Sequence, residues 1–119
     1  MSTSEIATVL AWHDALAAGD LDTLEKLSSE DIEVADAGGA EQGRQALRRW
    51  AASVRPNSAL GQMYVHHGVV VAELTPAGAS SAEGVAFRVV QDHVTAVFRH
   101  ENLAEALSAT DVTEADRVD

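Results

Sequence analysis

The feature that most constrains the fold is a change of hydrophobic periodicity near residue 57. Before it, most apolar residues recur at helical spacing, and from residue 59 onward they follow strand patterns. The last strands lie in one segment, VAFRVVQDHVTAVFRH (85–100), which predicts a β-hairpin. Helices followed by an antiparallel meander indicate an α+β fold, with three N-terminal helices packed on one face of a strongly curved sheet.

The first helix is predicted from a capping box, in which Ser2 is followed three residues later by Glu5. Gly19 ends this helix, and Asp20 caps a short second helix. The side chains predicted to form the buried stripe of helix one are Ile6, Val9, Leu10, His13, Leu16 and Ala17. A histidine therefore interrupts an apolar stripe.

A strand and a third helix complete the N-terminal half. The segment IEVADA (32–37) alternates as a strand does, which places Ile32, Val34 and Asp36 on one face. GGAEQG (38–43) is predicted to be a loop. The third helix spans residues 44–54, because proline disfavours helical geometry in the Arg55-Pro56 pair. Its predicted buried residues are Leu47, Trp50, Ala51 and Val54.

The C-terminal half predicts two hairpins and a short helix at 102–109. The first hairpin turns at His67-Gly68, because glycine accepts positive φ. It pairs Val65 with Val70, and it places Tyr64 and His66 on the opposite face.

The second hairpin is predicted to turn at Asp92-His93, which pairs Phe87 with Phe98. The predicted core face consists of Val85, Phe87, Val89, Val94, Ala96, Phe98 and His100. In this register Arg88 and Arg99 point outward.

The chain of 119 residues is long enough for one core without covalent staples, and it contains no cysteine. We expect one domain at 1–110 and a flexible acidic tail at 111–119. The net charge of −11 argues against a nucleic-acid partner. Without a basic, apolar leader or a membrane-length run, a cytoplasmic location and no membrane partner are expected. The arginines at 44, 48, 49 and 55 indicate a solvated or ion-pairing face.

Three titratable residues fall on predicted apolar faces: His13, Asp36 and His100. Titratable groups in apolar surroundings are candidates for proton transfer, although each of these three is also compatible with a satisfied polar group at the core edge. The adjacent His66 and His67 do not suit a metal site, because no third ligand has suitable spacing. No metal and no cofactor are expected.

The run AWHDALAAGDLDTLEKLSSEDIEVADAGGAEQGRQALRRW, with FRVVQDHVTAVFRHENL near the end, resembles the nuclear transport factor 2-like superfamily. The resemblance is to its polyketide-cyclase-like and ketosteroid-isomerase-like branch. It implies a cone-shaped domain with an apolar pocket at one end. It also implies a homodimer through the outer sheet face, which fits the outward positions predicted for Tyr64, Val71 and Val97.

In the comparison with ketosteroid isomerases, Asp36 falls at the catalytic base. Trp12 stands where that family has an oxyanion-hole tyrosine, and Val85 stands at the second acid of the hole. Phe87 and Phe98 lie at pocket-lining positions. Efficient steroid isomerase activity is therefore not expected, although the position of the base is kept.

Three functions remain open from the sequence. The first is cofactor-independent proton transfer of the isomerase, dehydratase or cyclase type on a small apolar, carbonyl-bearing molecule. Asp36 would be the base, and His13 or His100 the acid or orienting partner. The second is ligand binding without turnover, and the third is a dimerisation module with a filled pocket. The predicted pocket walls are Trp12, Trp50, Val85, Phe87 and Phe98.

Overall fold

The computed structural model of the chain describes residues 3–36, 39–53, 58–76 and 81–118. The helices are α1 (Thr3–Ala18), α2 (Leu21–Lys26), α3 (Arg44–Ser53) and α4 (Leu103–Thr110). The strands are β1 (Ser28–Asp36), β2 (Gly39–Gln42), β3 (Ser58–His66), β4 (Val69–Pro76), β5 (Glu83–Val90), β6 (His93–His100) and β7 (Arg117–Val118).

The strands of the described ranges form one sheet in the order β2-β1-β6-β5-β4-β3-β7. Every neighbouring pair is antiparallel except β1 and β6, which run parallel. The side chains of α1, α2 and α3 pack on one face, here called the core face, and α4 covers part of the opposite, outer face. The predicted α+β fold with three N-terminal helices on a mostly antiparallel sheet is confirmed.

Local signals predicted several boundaries correctly. Asp20 caps α2 by accepting a hydrogen bond from the Thr23 amide at 3.2 Å. The first hairpin turns at His67 and Gly68, whose φ angles of 48° and 79° are both positive, as a two-residue type I′ turn requires. The proposed Ser2 cap, Val54 and the Arg55-Pro56 break lie outside the described residues.

The predicted loop at 38–43 is wrong over most of its length, because residues 39–42 form β2. This strand pairs with β1, with Ala35 opposite Ala40. All four of its residues are exposed, so no alternation of apolar and polar side chains reveals the strand. Backbone pairing with β1 stabilises its extended conformation.

The predicted register of the second hairpin is also wrong. The turn lies at Gln91 and Asp92, with φ angles of 50° and 64°. An irregularity then shifts the pairing between Arg88 and Val89, so that Phe87 lies opposite Val97 rather than Phe98. Because side chains alternate between faces, a shift of one residue reverses the facing of the rest of the strand.

The main core lies between the core face and the three N-terminal helices. On α1 its buried members include Val9, Trp12 and Ala15, whereas Leu10 of the predicted stripe is 43% exposed. The helix is therefore rotated relative to the prediction, and Trp12 accounts for the difference. Burial of its large indole removes more apolar surface from water than burial of Leu10 does.

A second core lies on the outer face, between the sheet and the C-terminal segment. Tyr64 and Val71 of the sheet pack here with Ala106 of α4 and with Val112. Tyr64 and Val71, together with Val97 on the core face, are buried within one chain. The premise that they expose apolar surface for a homodimer is therefore wrong, and the structure of one chain does not test the homodimer itself.

Residues 111–118 follow a specific path over β3. Arg117 and Val118 form β7, which pairs with Tyr64 and Met63. Asp116 lies 3.1 Å from His66 Nδ1. The sequence predicts a flexible tail from residue 111; the structure places this segment against the sheet, and its flexibility stays a prediction.

Candidate functional site

Five strand ends meet at one end of the sheet, here called the site end. The strands β1, β4 and β6 end there at Asp36, Pro76 and His100, whereas β3 and β5 begin there at Ser58 and Glu83. The pocket implied by the resemblance opens at one end of the cone. The site end is where polar side chains meet the apolar core face.

An ion pair stands on the core face at the site end. Arg99 Nη2 donates to Glu83 Oε1 at 2.7 Å, and the two side chains are 23% and 35% exposed. Arg99 lies opposite Val85 in the β5–β6 ladder. Glu83 lies opposite Leu74 in the β4–β5 ladder. Directly opposed residues share a face, so both charges lie beside the main core.

The outward facing predicted for Arg99 is therefore wrong, whereas that of Arg88 holds. The shifted register brings Arg99 to the same face as the buried Val85 and Phe87. Arg88 instead lies opposite Ala96 and is exposed. An arginine half-buried among apolar side chains needs a partner for its charge, and Glu83 supplies it.

Asp36 is the last residue of β1, and the strand register places it next to the Arg99–Glu83 ion pair. Ala35 pairs with Phe98 in the parallel β1–β6 ladder. Asp36 and Arg99 are the residues that follow these two, so they occupy adjacent positions on neighbouring strands. The side chain of Asp36 lies outside the described part of the structure, and its role as a base stays a prediction.

His100 and Phe98 do not face the core, which corrects their predicted orientation. His100 lies opposite Gly84, and its Nδ1 is 3.5 Å from Glu105 Oε1 on α4. Phe98 packs with the second core on the outer face. The structure therefore separates these two residues from the core face on which the sequence places them.

His13 lies beside the buried stripe of α1 rather than within it. The side chain is half-buried, next to Trp12 in the chain. A role for His13 in proton transfer stays a prediction.

Trp12 is held in the core by a buried hydrogen-bond chain. Its Nε1 donates to Ser28 Oγ at 2.8 Å, and Ser28 Oγ donates to the Leu24 carbonyl at 2.7 Å. Ser28 is fully buried. The indole N–H of Trp12 is thus engaged inside the protein and does not replace the donor that a tyrosine would offer to a ligand.

Aromatic rings occupy the core between α1, α3 and the sheet. The centroid of Trp12 lies 5.8 Å from that of Trp50 and 5.6 Å from that of Phe87. Trp12 and Phe87 are almost completely buried, as is Val85. Trp12 therefore packs on two of the other predicted walls, Trp50 and Phe87.

The other charged clusters are surface features. Arg48 pairs with Asp22 and Glu25, and Arg49 pairs with Glu41. The prediction of an ion-pairing face is confirmed for these two arginines, and Arg55 lies outside the described ranges. A shallow cavity of about 350 Å³ between α2 and α3 is lined by Asp22, Glu25, Lys26, Arg44 and Arg48.

Among the described residues, no group of three histidine, cysteine or acidic side chains is placed to hold a metal ion. In the same ranges, no helix has the length and apolarity needed to cross a membrane.

Sequence reasoning missed Glu83, Arg99 and Ser28. The acid–base pair could have been found only with the correct hairpin register, because the irregularity between Arg88 and Val89 decides the facing of Arg99. Ser28 lies four positions before the segment predicted as a strand, and its bond to Trp12 joins residues 16 positions apart. No local pattern contains that contact.

The fold and the site end define a class, the nuclear transport factor 2-like α+β domains. Residues 9–116 match the family model of the SnoaL-like domain. The chain belongs to the SnoaL-like domain family. No curated protein matches the sequence significantly.

Solved structures support the same fold. A nuclear transport factor 2-like protein of unknown function from Cytophaga hutchinsonii superposes with a TM-score of 0.70 at 12% identity, covering 87% of this chain and 94% of that one. A candidate polyketide cyclase from Xanthomonas campestris pv. campestris gives 0.66 at 20% identity, covering 89% and 96%. A candidate ketosteroid isomerase from Kribbella flavida gives 0.65 at 17% identity, covering 82% and 76%. At these identities the likeness shows the fold alone.

Proposed function

We propose that the protein binds a small, mostly apolar, carbonyl-bearing molecule at the site end of the core face. The observation that carries this proposal is the Arg99–Glu83 ion pair, which is half-buried at the edge of the apolar main core. Ligand pockets typically combine apolar walls with a few convergent polar groups that orient the ligand. Leu74 lies directly opposite Glu83 and Val85 directly opposite Arg99, so the pair borders the apolar core.

Arg99 is the group that suits a carbonyl oxygen. A guanidinium has five N–H donors in a rigid plane and always carries its charge. Glu83 fixes the orientation of that plane through one hydrogen bond of 2.7 Å. A ligand oxygen accepts from a donor that is already oriented, so little conformational entropy is lost on binding.

Proton transfer at Asp36 is the second candidate function. Removing a proton next to a carbonyl places negative charge on the carbonyl oxygen, and a neighbouring cation stabilises that charge. The adjacent register positions of Asp36 and Arg99 favour such a division of roles. Efficient steroid isomerisation remains unexpected, because Trp12 donates its N–H to Ser28 and Val85 has no donor.

Binding is tested by calorimetric titration with hydrophobic ketones such as β-tetralone, together with tryptophan fluorescence. Arg99→Gln is expected to weaken ketone binding by about tenfold or more, as loss of a charged hydrogen-bond donor does. Arg88→Gln is the matched control, since Arg88 is exposed on the other face of the same hairpin. Equal affinity of both variants, or no binding by the wild type, would remove the proposal and favour the dimerisation module.

Catalysis is tested by deuterium exchange at the acidic carbon of the bound ketone. Asp36→Asn is expected to abolish protein-dependent exchange while retaining ketone binding, because an amide does not act as a base. Asp31→Asn is the control, since Asp31 is exposed on the same strand. Exchange absent from the wild type, with binding intact, would leave a binding module without turnover.

A further inference from the structure

We infer that Glu83 makes the site selective for neutral carbonyl ligands and against carboxylates, by occupying the guanidinium of Arg99. The inference rests on the proposed pocket and names the ligand class that it accepts. A free half-buried arginine is a strong receptor for an anionic carboxylate. In this chain, Glu83 already supplies that carboxylate.

The geometry makes Glu83 a resident competitor for Arg99. Its Oε1 accepts from Arg99 Nη2 at 2.7 Å, the length of a charge-assisted hydrogen bond. Glu83 and Arg99 are held on neighbouring strands, where Gly84 pairs with His100. Backbone hydrogen bonds therefore keep the two side chains within reach of each other, and the internal carboxylate has no association entropy to lose.

An incoming carboxylate has two unfavourable choices. If it replaces Glu83, that side chain is left without its cation beside Leu74 and Val85. If it binds next to Glu83, two negative charges share one arginine. The net charge of −11 also disfavours the approach of any anion.

A neutral ketone avoids both costs. Its oxygen accepts a hydrogen bond from one guanidinium N–H of Arg99, while Glu83 keeps its hydrogen bond to the same guanidinium. The net charge of the site therefore does not change. The remaining apolar part of the ligand gains by leaving water at the apolar core face. Glu83 thus acts as a specificity-determining residue.

The experiment compares β-tetralone with the carboxylate of the same ring system, tetralin-2-carboxylate, in calorimetric titrations at neutral pH. Wild-type protein is expected to bind the ketone at least about tenfold more tightly than the acid. Glu83→Gln is expected to raise the affinity for the acid by about tenfold or more and to change ketone affinity little. In Glu83→Gln/Arg99→Gln the gain is expected to disappear.

Glu73→Gln is the matched control. Glu73 lies on the neighbouring strand, opposite Gly84, and its register places it on the other face of the sheet. The Glu73→Gln variant is expected to keep the wild-type preference for the ketone. An unchanged ratio of acid to ketone affinity in Glu83→Gln would overturn the role of Glu83.

The outcomes separate this inference from the proposed function. If the wild type binds the ketone and the acid with equal affinity, the selectivity by Glu83 is overturned while the proposed ketone site stands. This comparison uses the wild type alone and does not depend on the folding of a variant. If neither ligand binds the wild type, and Glu83→Gln binds neither, both the pocket and its selectivity are contradicted. Circular dichroism of each variant verifies that the sheet is intact.

Discussion

At the scale of single residues, Ser28 decides what Trp12 can do. The serine accepts from the indole and donates to a main-chain carbonyl, so one hydroxyl satisfies two buried groups. A buried donor left without an acceptor costs more than the bond itself contributes. Trp12 is therefore a structural centre of the core rather than a donor to a ligand.

Ser28→Ala is expected to lower the free energy of unfolding by about 1–3 kcal/mol, because the indole N–H loses its acceptor in a buried place. Urea unfolding followed by tryptophan fluorescence measures the change. Ser108→Ala, at an exposed position of α4, is the control and is expected to alter stability little. A Ser28→Ala protein as stable as the wild type would contradict the structural role of this hydrogen bond.

Tyr64 allows a direct titration, because it is the one tyrosine of the chain. Burial first, and then its hydrogen bond to Glu114, raise the pKa of Tyr64 above the ordinary 10.0. The unfolded chain therefore releases this proton first, and stability falls as the pH rises above 10.0. The tyrosinate absorbance is expected to appear above this pH.

In Glu114→Gln the pKa of Tyr64 is expected to be lower than in the wild type, because the neighbouring negative charge is gone. The same absorbance titration measures it. A wild-type tyrosine that ionises at its ordinary pKa would show that α4 and the segment after it do not cover β3 in solution.

At the scale of elements, α4 depends on one close approach to the sheet. A Cβ added to Gly84 would stand 2.4 Å from the Asn102 carbonyl oxygen and 2.8 Å from Ala106 Cβ. The absence of a side chain at this position lets the first turn of α4 lie directly on β5. Asn102 caps the helix there by accepting from the Glu105 amide at 2.8 Å.

Gly84→Ala is expected to destabilise the protein by about 1–3 kcal/mol, the range for overpacking, because the backbone of residue 102 has to move. Gly61→Ala is a matched control on β3. Its added Cβ would stand 2.9 Å from Glu73 Oε1, the movable end of a flexible side chain. Thermal unfolding compares the two variants, and equal losses would contradict the close contact between α4 and the sheet.

At the scale of the whole molecule, the C-terminal segment changes which surface is free. The outer sheet face that the resemblance assigns to a homodimer is covered here by α4 and Val112. Tyr64, Val71 and Ala86 are buried without a second chain. An obligate interface needs a large exposed apolar surface, and the described part of this face does not offer one.

Sedimentation of the wild type is therefore expected to show mainly the monomer of 12.5 kDa. Gly84→Ala is expected to associate more readily with rising concentration, since a displaced α4 exposes the apolar outer face. A stable wild-type dimer would contradict this expectation and would require an interface elsewhere or an exchanged α4.

The sequence by itself determined the three N-terminal helices, the first strand, the two hairpins and α4, and their order, but not β2 and β7. Helical spacing, the Asp20 cap and the His67-Gly68 turn depend on neighbours in the chain, and each is present in the structure. The first hairpin was also predicted in its register, because its turn is a strong local signal.

Tertiary structure alone decided which side chains meet at the site end. One irregularity in the β5–β6 pairing moved Arg99 to the core face and took Phe98 and His100 to the outer face. Burial of Trp12 set the rotation of α1, and pairing with β1 made a strand of residues 39–42. These outcomes depend on contacts between distant segments, whose energies no local pattern records.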